Sequence, residues 1–188
     1  MANMVFNKKI DFKKSEKQKN ISPLKNKFSK LNLGCGEDYK SGWINLDFRN
    51  NVNADVKDDL NKFPYPFKEN SFDEILLKMI LEHLDNPINV LKEVIRISKN
   101  NARITVIVPH AFSYANNTNI QHKNRFTENS FEKKLLKEYE LEELELVNKD
   151  FLFSVNKWKK YIPFKGFLKI FFNGIYDDLL FEFQIRKV

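Results

Sequence analysis

The stretch LNLGCGEDYKSGWINLD, residues 31–47, decides the fold. A short apolar run ends in Gly34-Cys35-Gly36, and two of the chain's five glycines therefore fall within three residues at the end of a predicted first strand. Glycine at such a point lets the backbone turn sharply and approach a ligand closely, because a Cβ would block both. A GxG pair alone also suits an ordinary tight turn. A second apolar run, Trp43–Leu46, ends at Asp47, and a carboxylate with two acceptor oxygens suits a vicinal diol. The dinucleotide fingerprint is not met: GxGxxG needs glycine at 39, which is Tyr39, and its acid about 20 residues further on, whereas Asp47 follows Gly36 by 11.

Outward from this stretch, short apolar runs alternate with helical patterns. Ala54–Val56 is a candidate short strand and Ser71–Leu77 (SFDEILL) reads as a buried one. Pro87–Ile97 (PINVLKEVIRI) has a helix period behind Asp85 or Asn86 as N-cap. Ala102–Val108 (ARITVIV) is β-branched, continuous and stopped by Pro109. Thr127–Tyr139 predicts an amphipathic helix, and Leu141–Asn148 and Leu179–Lys187 alternate as strands. Such alternation predicts an α/β domain, with a mostly parallel sheet covered by helices on both faces.

The chain has 188 residues, suited to one domain with a sizeable core. Its net charge of +7 sits in residues 1–30, which hold nine lysines against two acids; the remainder carries 23 basic and 23 acidic side chains. We expect a basic, partly disordered arm over 1–28 and one domain over 29–188. A neutral domain, in a chain with 27 Lys and five Arg, argues against a large nucleic-acid footprint, since Arg is preferred for bidentate phosphate recognition. A single cysteine, Cys35, excludes an intramolecular disulfide, and no Cys/His spacing nucleates zinc, so no metal is expected. With no apolar run of membrane-spanning length and no signal-peptide h-region, the expected compartment is cytoplasmic.

Five segments in order resemble the class I S-adenosylmethionine-dependent methyltransferase family, in particular a compact branch of its type 11 methyltransferases. LNLGCG resembles the glycine motif, GWINLD the second strand and its acid, and DDLNKFPYPFKENSFDEI the third motif and fourth strand. MILEHL and then NPINVLKEVIRISKNNARITVIVPH resemble the following loop, helix and fifth strand. Asn100-Asn101 stands where the family has Gly-Gly; Asn also tolerates the left-handed conformation. The resemblance implies a Rossmann-like fold with antiparallel C-terminal strands. It implies S-adenosylmethionine as cofactor, S-adenosylhomocysteine as product, and a small-molecule or sugar/glycan-type acceptor. It places the methionine portion over Gly34, Cys35 and Gly36, the ribose on Asp47, and adenine on Asp59-Leu60, with Asp58 competing. Lys78 and Met79 flank the methionine moiety.

Methyl transfer needs in-line positioning and, for an oxygen or nitrogen acceptor, a base. The three histidines, His83, His110 and His122, all follow predicted strand ends. His110 or His122 is the expected base, with His110 on the binding rim. His83, Tyr114 and Arg125 are expected to position the acceptor, and the PH…HxxRFT pattern resembles the same branch. The competing reading of each histidine is a loop anchor. Lys and Phe interleave over 151–172, which fits either a capping helix or weak contact with a membrane or lipid-linked substrate. Two alternatives stay open: an RNA or protein methyltransferase using the basic arm, and a catalytically silent S-adenosylmethionine-binding scaffold.

Overall fold

Six strands form one sheet in the order β2-β1-β3-β4-β6-β5. The computed structural model describes residues 29–153, 161–164 and 175–187. Its elements are β1 (Lys30–Leu33), β2 (Ile44–Leu46), β3 (Phe72–Lys78), α1 (Pro87–Ile97), β4 (Ser98–Pro109), α2 (Tyr114–Thr118), α3 (Lys133–Glu138), β5 (Leu144–Leu152) and β6 (Asp178–Ile185). The first four strands in sheet order pair in parallel, and β6 lies antiparallel between β4 and β5. This is the mostly parallel Rossmann-like sheet with antiparallel C-terminal strands that the sequence and the resemblance predict. The chain leaves β1 to one side for β2 and crosses to the other for β3, so strand order reverses at β1. In open α/β sheets, ligands bind at the carboxyl ends of the strands beside such a reversal.

Alternating positions of β1, β3, β4 and β6 supply the core: Leu31, Leu33, Ile75, Leu77, Ile104, Val106, Phe181 and Phe183 are all fully buried. Helix α1 starts as predicted, with the Asn86 side chain accepting the Asn89 N–H (3.1 Å) and Pro87 in its first turn. Its apolar stripe buries Val90, Leu91, Val94 and Ile95, each worth about 1.5–3 kcal/mol when fully removed from water. Asn101 takes the left-handed conformation expected of the Asn pair (φ 64°), and its side chain and that of Asn100 tie down Arg186 and Lys187 beyond β6.

The connection from β1 to β2 is too short for a crossover helix, and a buried amide holds it instead. Asn45 in β2 is fully buried; its Oδ1 accepts from Asn32 Nδ2 and the Lys40 N–H, and its Nδ2 donates to the carbonyls of Lys40 and Trp43 and to Asp55 Oδ2. One side chain thus satisfies backbone groups that a helix would otherwise satisfy.

Several boundaries differ from expectation. Residues Thr127–Tyr139 are not one helix: Ser130 Oγ takes the Thr127 N–H (2.8 Å) and Thr127 Oγ1 the Asn129 N–H (3.3 Å), so side chains hold turns and only Lys133–Glu138 is helical. Strand β5 begins at Leu144 rather than Leu141, because Glu140 ends α3 in the left-handed conformation and the Leu141 N–H returns to the Leu136 carbonyl. Ala54–Val56 contributes a single parallel bridge, Leu46 to Val56, and no strand. The arm over 1–28 lies outside the described residues, as does most of the basic-aromatic segment 151–172. No helix among the described residues is long and apolar enough to cross a membrane.

Candidate functional site

At the carboxyl ends of β1 and β2 the two glycines both adopt positive φ, 67° at Gly34 and 53° at Gly36. Their reasons differ. A Cβ on Gly34 would sit 2.5 Å from Ile80 Cγ1 and 2.7 Å from its Cδ1, so this glycine admits the segment that follows β3. A Cβ on Gly36 would meet only Arg49 Nη2, at 2.8 Å, the mobile end of a half-exposed side chain. The space above Gly36 is therefore closed by a group that can swing away. Cys35 contributes backbone alone: its thiol is buried against the Asn53 carbonyl (3.6 Å), and burial together with Asp47 raises its pKa.

Asp47 is buried at the end of β2. Its Oδ2 accepts the Gly36 N–H (2.8 Å), and its Oδ1 accepts the Arg49 N–H (2.9 Å) and Nε (3.1 Å), with Arg49 Nη2 a further 3.3 Å from Oδ2. Burial works against its charge, but the Arg49 side chain and the two backbone N–H groups outweigh it and hold the carboxyl below the usual range. Sequence reasoning missed Arg49; its place two residues after a strand-end acid was the available signal.

Lys78 does not flank an open cleft freely. Its Nζ pairs with Asp38 Oδ2 at 2.9 Å and so straps the end of β3 to the glycine loop. Hydrogen bonding to Lys78 lowers the Asp38 pKa. Met79 has positive φ (53°) and bonds the Ile107 carbonyl through its N–H. Of the acid pair beyond β2, Asp59 turns inward on its own loop, with Oδ1 accepting the Asn61 N–H (3.0 Å) and Oδ2 3.4 Å from Lys62 Nζ. Asp58 accepts the Asp59 N–H (2.9 Å), and burial raises its pKa. Leu60 is buried, and its carbonyl accepts the Tyr65 hydroxyl (3.0 Å).

Past β3, a single turn at Leu81–His83 carries Glu82 and His83, and the loop after α2 is stitched onto it. The N–H groups of Lys123 and Asn124 donate to the Glu82 carbonyl, and Asn124 Nδ2 donates to the carbonyls of Leu84 and Leu81. This brings His122 against His83, with ring centroids 4.7 Å apart and planes at 80°. Asn116 fixes the His122 tautomer. Its Nδ2 is spent on the Ala111 carbonyl (3.0 Å), so its Oδ1 accepts from His122 Nδ1 (3.1 Å) and leaves the Nε2 lone pair outward, where Asn119 Nδ2 meets it at 3.0 Å. Burial, and then His83, lowers the His122 pKa; burial also lowers that of His83. Glu82 is almost completely buried, and burial followed by the charge of Asp178 pushes its carboxyl up to about 7.

The remaining predicted positions scatter. His110 is not on an open rim: it is buried, its Nδ1 accepts the Phe112 N–H (3.2 Å), and its Nε2 faces Glu128 Oε2 at 3.3 Å. That is the geometry of an anchor for the start of the loop. Tyr114 stands exposed on α2. Arg125 lines a separate cavity of about 320 Å³ at the start of α1, with Asn86, Ile88, Phe131 and Tyr139 among its walls. Glu82, Asn116 and Asn124 were not legible as site residues, because glutamate and asparagine carry no spacing signature.

Comparison with known proteins follows the same lines. Residues 31–106 match the family model described as a methyltransferase domain. The chain is similar in structure to an S-adenosylmethionine-dependent methyltransferase from Archaeoglobus fulgidus (TM-score 0.63, 15% identity, covering 84% of this chain and 86% of that one). Another from Mesorhizobium loti gives a TM-score of 0.59 at 13% identity, covering 84% and 90%. A chain from the Haloferax volcanii complex containing the Trm112 methyltransferase activator gives 0.59 at 14%, covering 88% and 85%. No curated protein matches the chain in sequence. At these identities the structural likenesses show the fold, and the family model spans residues 31–106. Over residues 31–106 and in its sheet, the chain resembles the class I S-adenosylmethionine-dependent methyltransferases.

Proposed function

We propose that the chain holds S-adenosylmethionine across the carboxyl ends of β1 and β2 and methylates a small-molecule or sugar/glycan-type acceptor beside the loop that follows β4. The observation that carries this reading is Asp47, buried, charged and bonded to the Gly36 N–H at the point where strand order reverses. The residues fit the cofactor. Gly36 leaves space occupied only by the Arg49 guanidinium, Asp47 offers acceptors to a ribose diol, and Asp58 is the carboxylate of its pair with fewer local bonds for an exocyclic amine. The bound cofactor supplies a methyl group already activated on its sulfonium.

The protein's own part is to position the acceptor and take its proton. His122 suits that task better than His110. Its tautomer is set by Asn116, its Nε2 is covered only by the exposed Asn119 amide and its lowered pKa favours the neutral form, whereas His110 is buried between Phe112 and Glu128. Tyr114, exposed beside this loop, is a second acceptor-side contact.

Calorimetric titration with S-adenosylmethionine and S-adenosylhomocysteine tests the reading on wild type and Asp47→Ala. Micromolar binding that Asp47→Ala weakens tenfold or more, about 1.4 kcal/mol, is expected. Absence of binding to either ligand overturns the function. Equal binding by both proteins overturns the site.

A further inference from the structure

We infer that Glu82, His83 and His122 form a binding site for a divalent first-row transition ion of the zinc class. One ligand atom from each lies within 4.8 Å of the other two, and His83 Nε2 is 3.9 Å from Glu82 Oε1. Zinc bonds of about 2.0–2.2 Å in tetrahedral array set ligand atoms roughly 3.4 Å apart, so the longest edge must close by about 1.4 Å, within reach of side-chain rotation.

Three features beyond proximity point to a cation. Glu82 is 1% exposed, yet its Oε2 meets no protein donor, a state that costs free energy unless something else coordinates it. His122 already has the arrangement typical of a ligating imidazole: Nδ1–H donates to a buried amide oxygen whose amide is fixed in turn by a backbone carbonyl, and the Nε2 lone pair is covered only by the exposed Asn119 amide, which a cation would displace. His83 packs edge-on against the His122 ring while its Nε2 turns to Glu82. Lys123, next to His122, has its charge taken up by Asp85 at 2.5 Å, and the charge of Asp178 acts on Glu82. Two imidazoles and one carboxylate select zinc-like ions over magnesium or calcium, which prefer all-oxygen shells. Three protein ligands leave a coordination position open to solvent or to an acceptor oxygen.

The cluster was invisible in the sequence because His122 lies 39 residues from His83, and only the stitching of the 122–124 loop onto Leu81–His83 unites them. Its role rests on the methyl-transfer reading: an acceptor hydroxyl on the open position would ionise near neutral pH, and its proton would pass to solvent rather than to His122, whose lone pair the metal takes. The site itself does not depend on that reading.

The test is cobalt(II) titration of untagged full-length protein, read by visible d–d absorption and by displacement with zinc. We expect a band that saturates at one equivalent and vanishes on adding zinc. Affinity should fall at least tenfold in His122→Ala and in Glu82→Gln, and stay unchanged in His110→Gln. Should Glu82→Gln fail to fold by circular dichroism, His83→Asn takes its place. No band, or equal binding in all variants, overturns the metal site. S-adenosylhomocysteine titration of the same samples reports the cofactor site separately, so either idea can fail alone.

Discussion

Replacing Arg49 by alanine should tighten cofactor binding, the opposite of what loss of a cationic site residue usually does. A carboxylate offers about four lone-pair positions. In Asp47 all four are engaged: two by the N–H groups of Gly36 and Arg49, two by the Arg49 guanidinium. A ribose diol needs two of these, and the backbone donors cannot leave without unfolding the loop. The guanidinium can. Its side chain is 46% exposed while Asp47 is 4% exposed, so the pair falls between a surface ion pair and a buried one. Exposed pairs contribute about 0.2–1 kcal/mol, and the buried partner puts this one near the upper end, about 1 kcal/mol. Released from that cost, Arg49→Ala should bind S-adenosylhomocysteine two- to fivefold more tightly by calorimetry, since about 1.4 kcal/mol is tenfold. The demethylated ligand is the cleaner probe, because S-adenosylmethionine carries a sulfonium charge that Arg49 repels for a separate reason. In Asp47→Ala, removing Arg49 as well should add little, since its effect runs through the carboxylate. Weaker binding in Arg49→Ala refutes the reasoning and makes Arg49 a ligand group rather than a placeholder.

Other outcomes follow from single contacts. Gly34→Ala places a Cβ 2.5 Å from Ile80 at φ 67° and should cost about 2–4 kcal/mol in denaturant unfolding, from overpacking and left-handed strain together. Asn45→Ala strands buried donors on Asn32 and Lys40; we expect a loss of about 2–4 kcal/mol, and weaker cofactor binding as the glycine loop loosens. Because the folded-state pKa of Asp47 is depressed, its contribution is complete above the unfolded value of about 3.9 and is lost as pH falls through the lower folded value. Asp47→Asn should therefore flatten the stability profile in that acid window while lowering stability at pH 7. His110→Ala should lower the melting temperature more than His122→Ala, since it removes a buried side chain that accepts the Phe112 N–H and faces Glu128.

The sheet and the glycine loop at its edge were legible because they rest on local rules. Continuous apolar runs mark buried parallel strands, Asn86-Pro87 marks the start of a helix, and glycine at a strand end marks a left-handed turn. Helix length after Thr127 was not legible, because the hydroxyls of Thr127 and Ser130 compete with the helix for the same N–H groups and periodicity does not register that competition. The motif named the residues at 34, 36 and 47. It did not say that Gly34 is required by Ile80, or that Arg49 occupies the acceptors of Asp47.

The sequence by itself determined the α/β order, the glycine loop, Asp47 and the family they resemble, since each is a pattern within a dozen or so neighbouring residues. Tertiary structure decided the surroundings of the three histidines. Whether a histidine is an anchor or a presented lone pair depends on which carbonyls and amides surround it, and those arrive from distant segments: Glu128 beside His110, Asn116 and Ala111 behind His122, Glu82 and His83 in front of it. Hydrogen-bond partners and burial are properties of the folded neighbourhood, so the spacing of three histidines along the chain could not rank them.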